Sequence, residues 1–150
     1  MKATLFTDGG ARGNPGPAGI GAVLIGEDGE VLAEFAEGIG EATNNVAEYR
    51  ALIAGLELAL ATGVTDIDVR MDSELVVSQV RGEWKIKNDA LRPLAVRAGS
   101  LLNRFERASV EHVRREENAH ADRLANEAMD AAELELDQRD EHPGQTSLLE

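Results

Sequence analysis

Met1-Lys2-Ala3-Thr4-Leu5-Phe6-Thr7-Asp8-Gly9-Gly10-Ala11-Arg12-Gly13-Asn14-Pro15-Gly16-Pro17-Ala18-Gly19-Ile20 is the stretch on which the fold turns. Thr4, Phe6 and Asp8 alternate with Ala3, Leu5 and Thr7, the two-residue period of a strand whose two sides can both be covered. Such a strand belongs in the middle of a sheet. The reading ends it on the Asp8 carboxylate. The glycines and prolines that follow let the backbone turn tightly and let something bulky approach. Taken alone, Asp-Gly-Gly fits a strand-to-turn aspartate as well as a functional one.

Working outward, residues 20–25 and 31–36 form two short strand patterns around the turn-forming Gly26-Glu27-Asp28-Gly29, giving an antiparallel meander with the first strand. Thr43-Asn44-Asn45 offers an N-cap, and Leu52, Ile53, Leu56, Ala59 and Leu60 repeat at helical spacing until Gly63. Ile67, Val69 and Met71 alternate with Asp68, Arg70 and Asp72 as a strand, and Ser73 caps a helix toward Val80. No single period governs residues 81–88. Residues 91–105 predict a helix entered near Pro93, residues 110–113 a last strand, and residues 118–132 a final helix capped by Asn118, with Leu124, Ala125, Ala128 and Met129 inward. Six acids, one arginine and Pro143-Gly144 in residues 133–150 read as a solvated, disordered acidic tail. The expected organisation is one α/β domain over residues 1–132 plus that tail.

A chain of 150 residues suits one domain, and with no cysteine it has neither disulfides nor thiolate chemistry. No charged-then-apolar leader or membrane-length apolar run is visible, so a soluble cytoplasmic monomer without a membrane partner is the expectation. The net charge of -13 argues against a general nucleic-acid coat, so any nucleic-acid contact must be local or metal-mediated. Three lysines against twelve arginines, with so many acids, fit either adaptation to high salt or a GC-rich genome.

Four carboxylates stand out in this layout. Glu48 shares a helix face with Leu52, Leu56 and Ala59, the stripe that should meet the sheet. Asp8 and Asp72 each close a strand, and Asp122 opens the last helix on a face with Ala125 and Met129. Ionised carboxylates converging in a partly buried place need cations, and hard divalent metals are the usual answer. Each acid taken singly fits a cap, a turn or a surface charge equally well.

The flanking residues separate these readings. Asp8-Gly9-Gly10, Asn14-Pro15-Gly16, Thr43-Asn44-Asn45 with Ala47-Glu48, Asp72-Ser73-Glu74-Leu75-Val76 and Ala121-Asp122-Arg123-Leu124-Ala125 resemble, in order and spacing, the motifs of the ribonuclease H type 1 family. The resemblance covers residues 1–132. It implies a ribonuclease H-like fold, a mixed five-stranded sheet with helices on both faces. The implied activity is endonucleolytic cutting of the RNA strand of RNA·DNA hybrids, leaving 3'-hydroxyl and 5'-phosphate ends. It also implies two Mg²⁺ ions, with Mn²⁺ as a substitute, held by Asp8, Glu48, Asp72 and Asp122.

By the same resemblance, Gly9, Ala11, Asn14, Asn44 and Asn45 contact the RNA strand, whose 2'-hydroxyls distinguish it from DNA. Thr43 and Asn88 grip a DNA phosphate, and Trp84 stacks on DNA sugars beside Lys85 and Lys87. From the residues alone, Asn14 also suits a turn, Asn44 or Asn45 a cap, and Trp84 the core. The chain departs from the family in a short segment 81–88 without a basic protrusion, in Glu41 where many relatives carry arginine, and in Glu74 where some carry a glutamine that reaches RNA. Hybrid binding is therefore expected to be weak, especially in salt. No loop histidine precedes the last acid: His112 reads as a packed strand residue, and Arg115 is the candidate for the group reaching the scissile phosphate. Two other classes remain open, a non-catalytic hybrid or double-stranded RNA binding module and a phosphate-binding scaffold, the latter disfavoured because no Gly-Lys-Ser/Thr ending follows the glycines.

Overall fold

The computed structural model describes residues 1–141. Strand β1 (Lys2–Ala11) lies at the centre of one five-stranded sheet. It pairs antiparallel with β2 (Gly16–Gly26), which pairs antiparallel with β3 (Val31–Ala42). On its other side β1 runs parallel to β4 (Asp66–Met71), which runs parallel to β5 (Arg107–His112), giving the order β3-β2-β1-β4-β5. The mixed sheet expected from the sequence is the one observed.

Helices α1 (Asn44–Thr62), α2 (Glu74–Val80) and α3 (Arg92–Leu102) bury Tyr49, Leu52, Leu56, Val76 and Leu101 with Leu5, Leu24, Val69 and Met71 of the sheet. Thr43 caps α1 by accepting from the Val46 N–H, and Ser73 caps α2 by accepting from the Val76 N–H. A short 3₁₀ turn (Arg115–Asn118) leads into α4 (Ala119–Glu141), which covers β2 from the opposite face. The contact is backbone to backbone. A Cβ at Gly21 would lie 2.7 Å from the Ala125 nitrogen, so the glycines of β2 let α4 settle directly on the strand. Among the described residues no helix is long and apolar enough to cross a membrane.

Two expectations are corrected. Strand β1 does not end at Asp8, since pairing continues to Ala11↔Ala18. Gly9 and Gly10 stay extended because they remain paired with Ile20 and Gly19 of β2, and the chain turns only after Ala11. Nor does the last helix stop near Ala132. It continues to Glu141 because Ala, Glu and Leu favour helix and the acids find partners, Glu133 on Arg12 and Glu135 on Arg139. Half of the expected disordered tail is thus helical, and residues 142–150 lie outside the described residues.

Candidate active site

Asp8 sits near the C-terminal end of β1, Glu48 in the second turn of α1, and Asp72 directly after β4. Each can offer an oxygen within 4.8 Å of the others, and Asp8 and Glu48 are almost fully buried. The Thr43 cap sets where α1 begins and hence which of its residues face the sheet. Gly9 then donates its N–H to Glu48 Oε1 at 2.7 Å. Glu48 Oε2 is buried with no hydrogen-bond partner among the described residues.

Burial pushes the Asp8 carboxyl well above the carboxylate range, and the neighbouring Glu48, Asp72 and Asp122 push it further in the same direction. Burial also raises Glu48, partly offset by the adjacent Asp8 carboxyl and by the hydrogen bond that Glu48 accepts from the Gly9 amide. Without a cation, two full charges side by side at Asp8 and Glu48 are therefore disfavoured. Asp122, in the first turn of α4, stands outside the triad but near enough to act on Asp8. The donor set is all oxygen, with one buried oxygen left unpaired, which suits a hard divalent cation.

Asn118 is not the helix cap that its position suggests. Its side chain is buried and donates Nδ2–H to the Thr7 carbonyl at 3.0 Å, fastening the start of α4 to the strand that carries Asp8. His112 is not packed either. It is the last residue of β5, exposed, and lines the same cleft of about 550 Å³ as Asp8, Glu48, Asp72 and Arg115. Alternation places it correctly on the Val110 side, but the strand ends there and the side chain is left exposed among the described residues.

The remaining candidates fall into two groups. Asn44 lines the cleft, accepts from the Ala11 N–H at 3.3 Å through Oδ1, and donates its own N–H to Asn14 Oδ1 at 3.0 Å. Asn45 faces away, lining a separate groove of about 500 Å³ with Trp84, Lys85, Lys87 and Asn88. Thr43 is engaged as the cap, and Asn88 accepts from the Ala90 N–H in a turn. Glu74 is exposed at the start of α2, outside the residues that line either space. Trp84 is 46% exposed and so is no core residue. Its segment is pinned by Glu83 and Trp84 N–H donations to the Ser78 carbonyl and by Gln79, whose Nε2–H donates to the Lys85 carbonyl at 3.4 Å while its Oε1 accepts from Tyr49 at 2.7 Å. The sequence reading missed Asn126 and Met129 as cleft-lining residues. Their spacing of four and seven from Asp122 on one helix face was the available signal.

A family model described as reverse transcriptase-like matches residues 6–128. The chain is 56% identical over 133 residues to a bifunctional protein of Mycobacterium tuberculosis, a match covering 88% of this chain and 36% of that protein, so it spans about a third of the mycobacterial relative's length. It is 51% identical over 131 residues to the ribonuclease HI of Halobacterium salinarum, covering 87% of this chain and 66% of that one. The solved N-terminal ribonuclease H domain of the mycobacterial protein superposes with a TM-score of 0.88 at 53% identity, over 91% of this chain and 99% of that one. A ribonuclease H1 named LC11, solved in complex with an RNA/DNA hybrid, superposes with a TM-score of 0.82 at 45% identity, over 87% and 98% of the two chains. A ribonuclease H of Erythrobacter litoralis is 34% identical over 86% of this chain and 96% of its own. With the family model spanning most of its length and these relatives sharing its fold, the chain belongs to the type 1 ribonuclease H family.

Proposed function

We propose that this chain is an endonuclease that hydrolyses the RNA strand of RNA·DNA hybrids with two divalent cations, leaving 3'-hydroxyl and 5'-phosphate ends. The observation that carries the reading is the triad of buried Asp8, buried Glu48 and half-buried Asp72, with Glu48 Oε2 unpaired among the described residues. Asp8, Glu48 and Asp72 would hold one cation and Asp8 with Asp122 the other. Mg²⁺, or Mn²⁺ in its place, would there supply a more acidic water and charge stabilisation at the leaving oxygen.

The chain's own residues supply orientation and choice of strand. Asn14 and Asn44 are linked to each other and to Ala11 at one rim of the cleft, where a shallow minor groove would present the RNA 2'-hydroxyls. Trp84, Lys85, Lys87 and Asn45 line the second groove, which suits the partner DNA strand. Arg115 lines the cleft and places a permanent cation beside the acids, able to meet a phosphate but not to move a proton near neutral pH. Arg115→Ala is expected to lower kcat more than about tenfold, at least about 1.4 kcal/mol. The wild-type rate should show no titration that disappears in this variant. Steady-state kinetics across pH check both.

Exposed Trp84 contributes little to the core, so Trp84→Ala should weaken hybrid binding about tenfold while moving Tm by no more than about 2 °C. Fluorescence anisotropy and calorimetry measure the two effects. The function itself is tested with a labelled hybrid in Mg²⁺, Mn²⁺ or EDTA, with single-stranded RNA and DNA duplex as controls. Metal-dependent cutting of the RNA strand of the hybrid supports the reading. Tight hybrid binding with no cutting in either metal would instead identify a non-catalytic binding module.

A further inference from the structure

The turn between β1 and β2 carries Asn14, and it is held from two sides. On the α1 side the links are those of Asn44 to Ala11 and Asn14. On the α4 side Arg12 makes them. Its NH1 nitrogen donates to Glu133 Oε2 at 2.7 Å and forms an ion pair with Asp130, while NH2 reaches the Asn126 carbonyl at 3.5 Å. The Arg12 N–H donates to the Pro17 carbonyl at 2.8 Å, closing the turn behind the side chain. Positions 126, 130 and 133 follow one another along a single face of α4, so one guanidinium is held by successive turns of the helix.

An arginine at the tip of a hairpin beside a nucleic-acid cleft would ordinarily serve as a phosphate ligand. Here two carboxylates already occupy it. A single exposed ion pair contributes little, whereas a forked guanidinium shared by two acids and a carbonyl fixes a direction as well as a distance. The geometry points to Arg12 as a positioning residue that fastens the Asn14-bearing turn to α4. Helix residues past Ala132 thereby become part of the platform on which substrate lies. The inference deepens the hybrid-cutting function proposed above and rests on it.

The test compares wild type, Arg12→Ala, Arg12→Lys and the double variant Asp130→Asn with Glu133→Gln. Each is followed by kcat and KM on an RNA·DNA hybrid and by amide hydrogen exchange at residues 11–16 without substrate. Arg12→Ala and the double variant should both raise KM about fivefold, leave kcat within about twofold, and speed exchange in the turn. Arg12→Lys should fall between them and wild type, because an ammonium cannot fork. If the double variant lowers KM while Arg12→Ala raises it, Arg12 is a phosphate ligand with which the acids compete, and the inference is overturned. Unchanged KM and exchange in every variant overturn it as well. A wild type inactive on the hybrid would sink the proposed function instead, and exchange at residues 11–16 would still decide whether the clamp exists.

Discussion

Asp8→Asn should abolish hybrid cleavage, by about a thousandfold or more, a loss of at least about 4 kcal/mol of transition-state stabilisation, while making the metal-free protein harder to melt. The first effect follows from the donor set. Asp8 is the acid that the triad and Asp122 have in common, and a neutral amide cannot hold two divalent cations. The second effect follows from linkage. Burial, and then the charge of Glu48, raise the Asp8 carboxyl above its unfolded value, and burial raises Glu48 as well. Between the two values the folded state binds more protons than the unfolded state, so stability from these groups falls as pH rises. The fall starts near pH 4, the ordinary carboxylate range, and runs through neutrality toward the raised folded-state values. Asparagine has no such liability. In EDTA the variant should therefore melt close to wild type at pH 5 and higher than wild type at pH 8, by about 3 °C or more. Mg²⁺ should raise the wild-type Tm and leave the variant's nearly unchanged. Calorimetry across pH 5–8, with and without Mg²⁺, measures all of this. An active variant, or one that melts lower than wild type at pH 8 in EDTA, would contradict the assignment.

Much of this site is legible in the sequence because its acids stand where patterning forbids them. Glu48 breaks an apolar helix stripe, Asp8 lies within a strand and Asp72 directly follows one, and the alternation of each strand identifies its faces. What was not legible depends on partners far along the chain. Asn118 before a helix reads as a cap, and only the Thr7 carbonyl, 111 residues away, shows that its side chain turns inward. Periodicity gives the side on which His112 lies. It does not tell that the sheet is uncovered at that end. The acids of residues 133–141 give a solvated tail by charge alone, whereas Arg12, 121 residues before Glu133, offers them a cation. For Gly9 and Gly10 the sequence supports both a tight turn and a close approach, since local chemistry cannot distinguish a glycine that bends from one that makes room.

Gly9→Ala should be strongly damaging to both stability and activity. A Cβ there would overlap the Ala47 carbonyl and lie 2.8 Å from the Glu48 nitrogen. These are backbone atoms of α1, so no rotamer change relieves the clash and the helix itself must move. Movement lengthens the 2.7 Å bond from the Gly9 amide to Glu48 Oε1, the contact that fixes Glu48 beside Asp8. The expected cost is about 2–4 kcal/mol, or roughly 10 °C in Tm. At temperatures where the variant is still folded, kcat should fall about a hundredfold, as expected when a catalytic group is displaced by an ångström. Gly10→Ala is the control. Its nearest obstacles are side-chain atoms, Met129 Cε at 3.2 Å and Asn44 Oδ1 at 3.4 Å, which can give way, so its loss of Tm should be a few degrees at most. Calorimetry paired with single-turnover cleavage separates misfolding from misplacement. If Gly9→Ala and Gly10→Ala prove equally mild in both measurements, the close approach of α1 to β1 does not hold Glu48 in place, and its position in the triad must come from the Asp8 and Asp72 side alone.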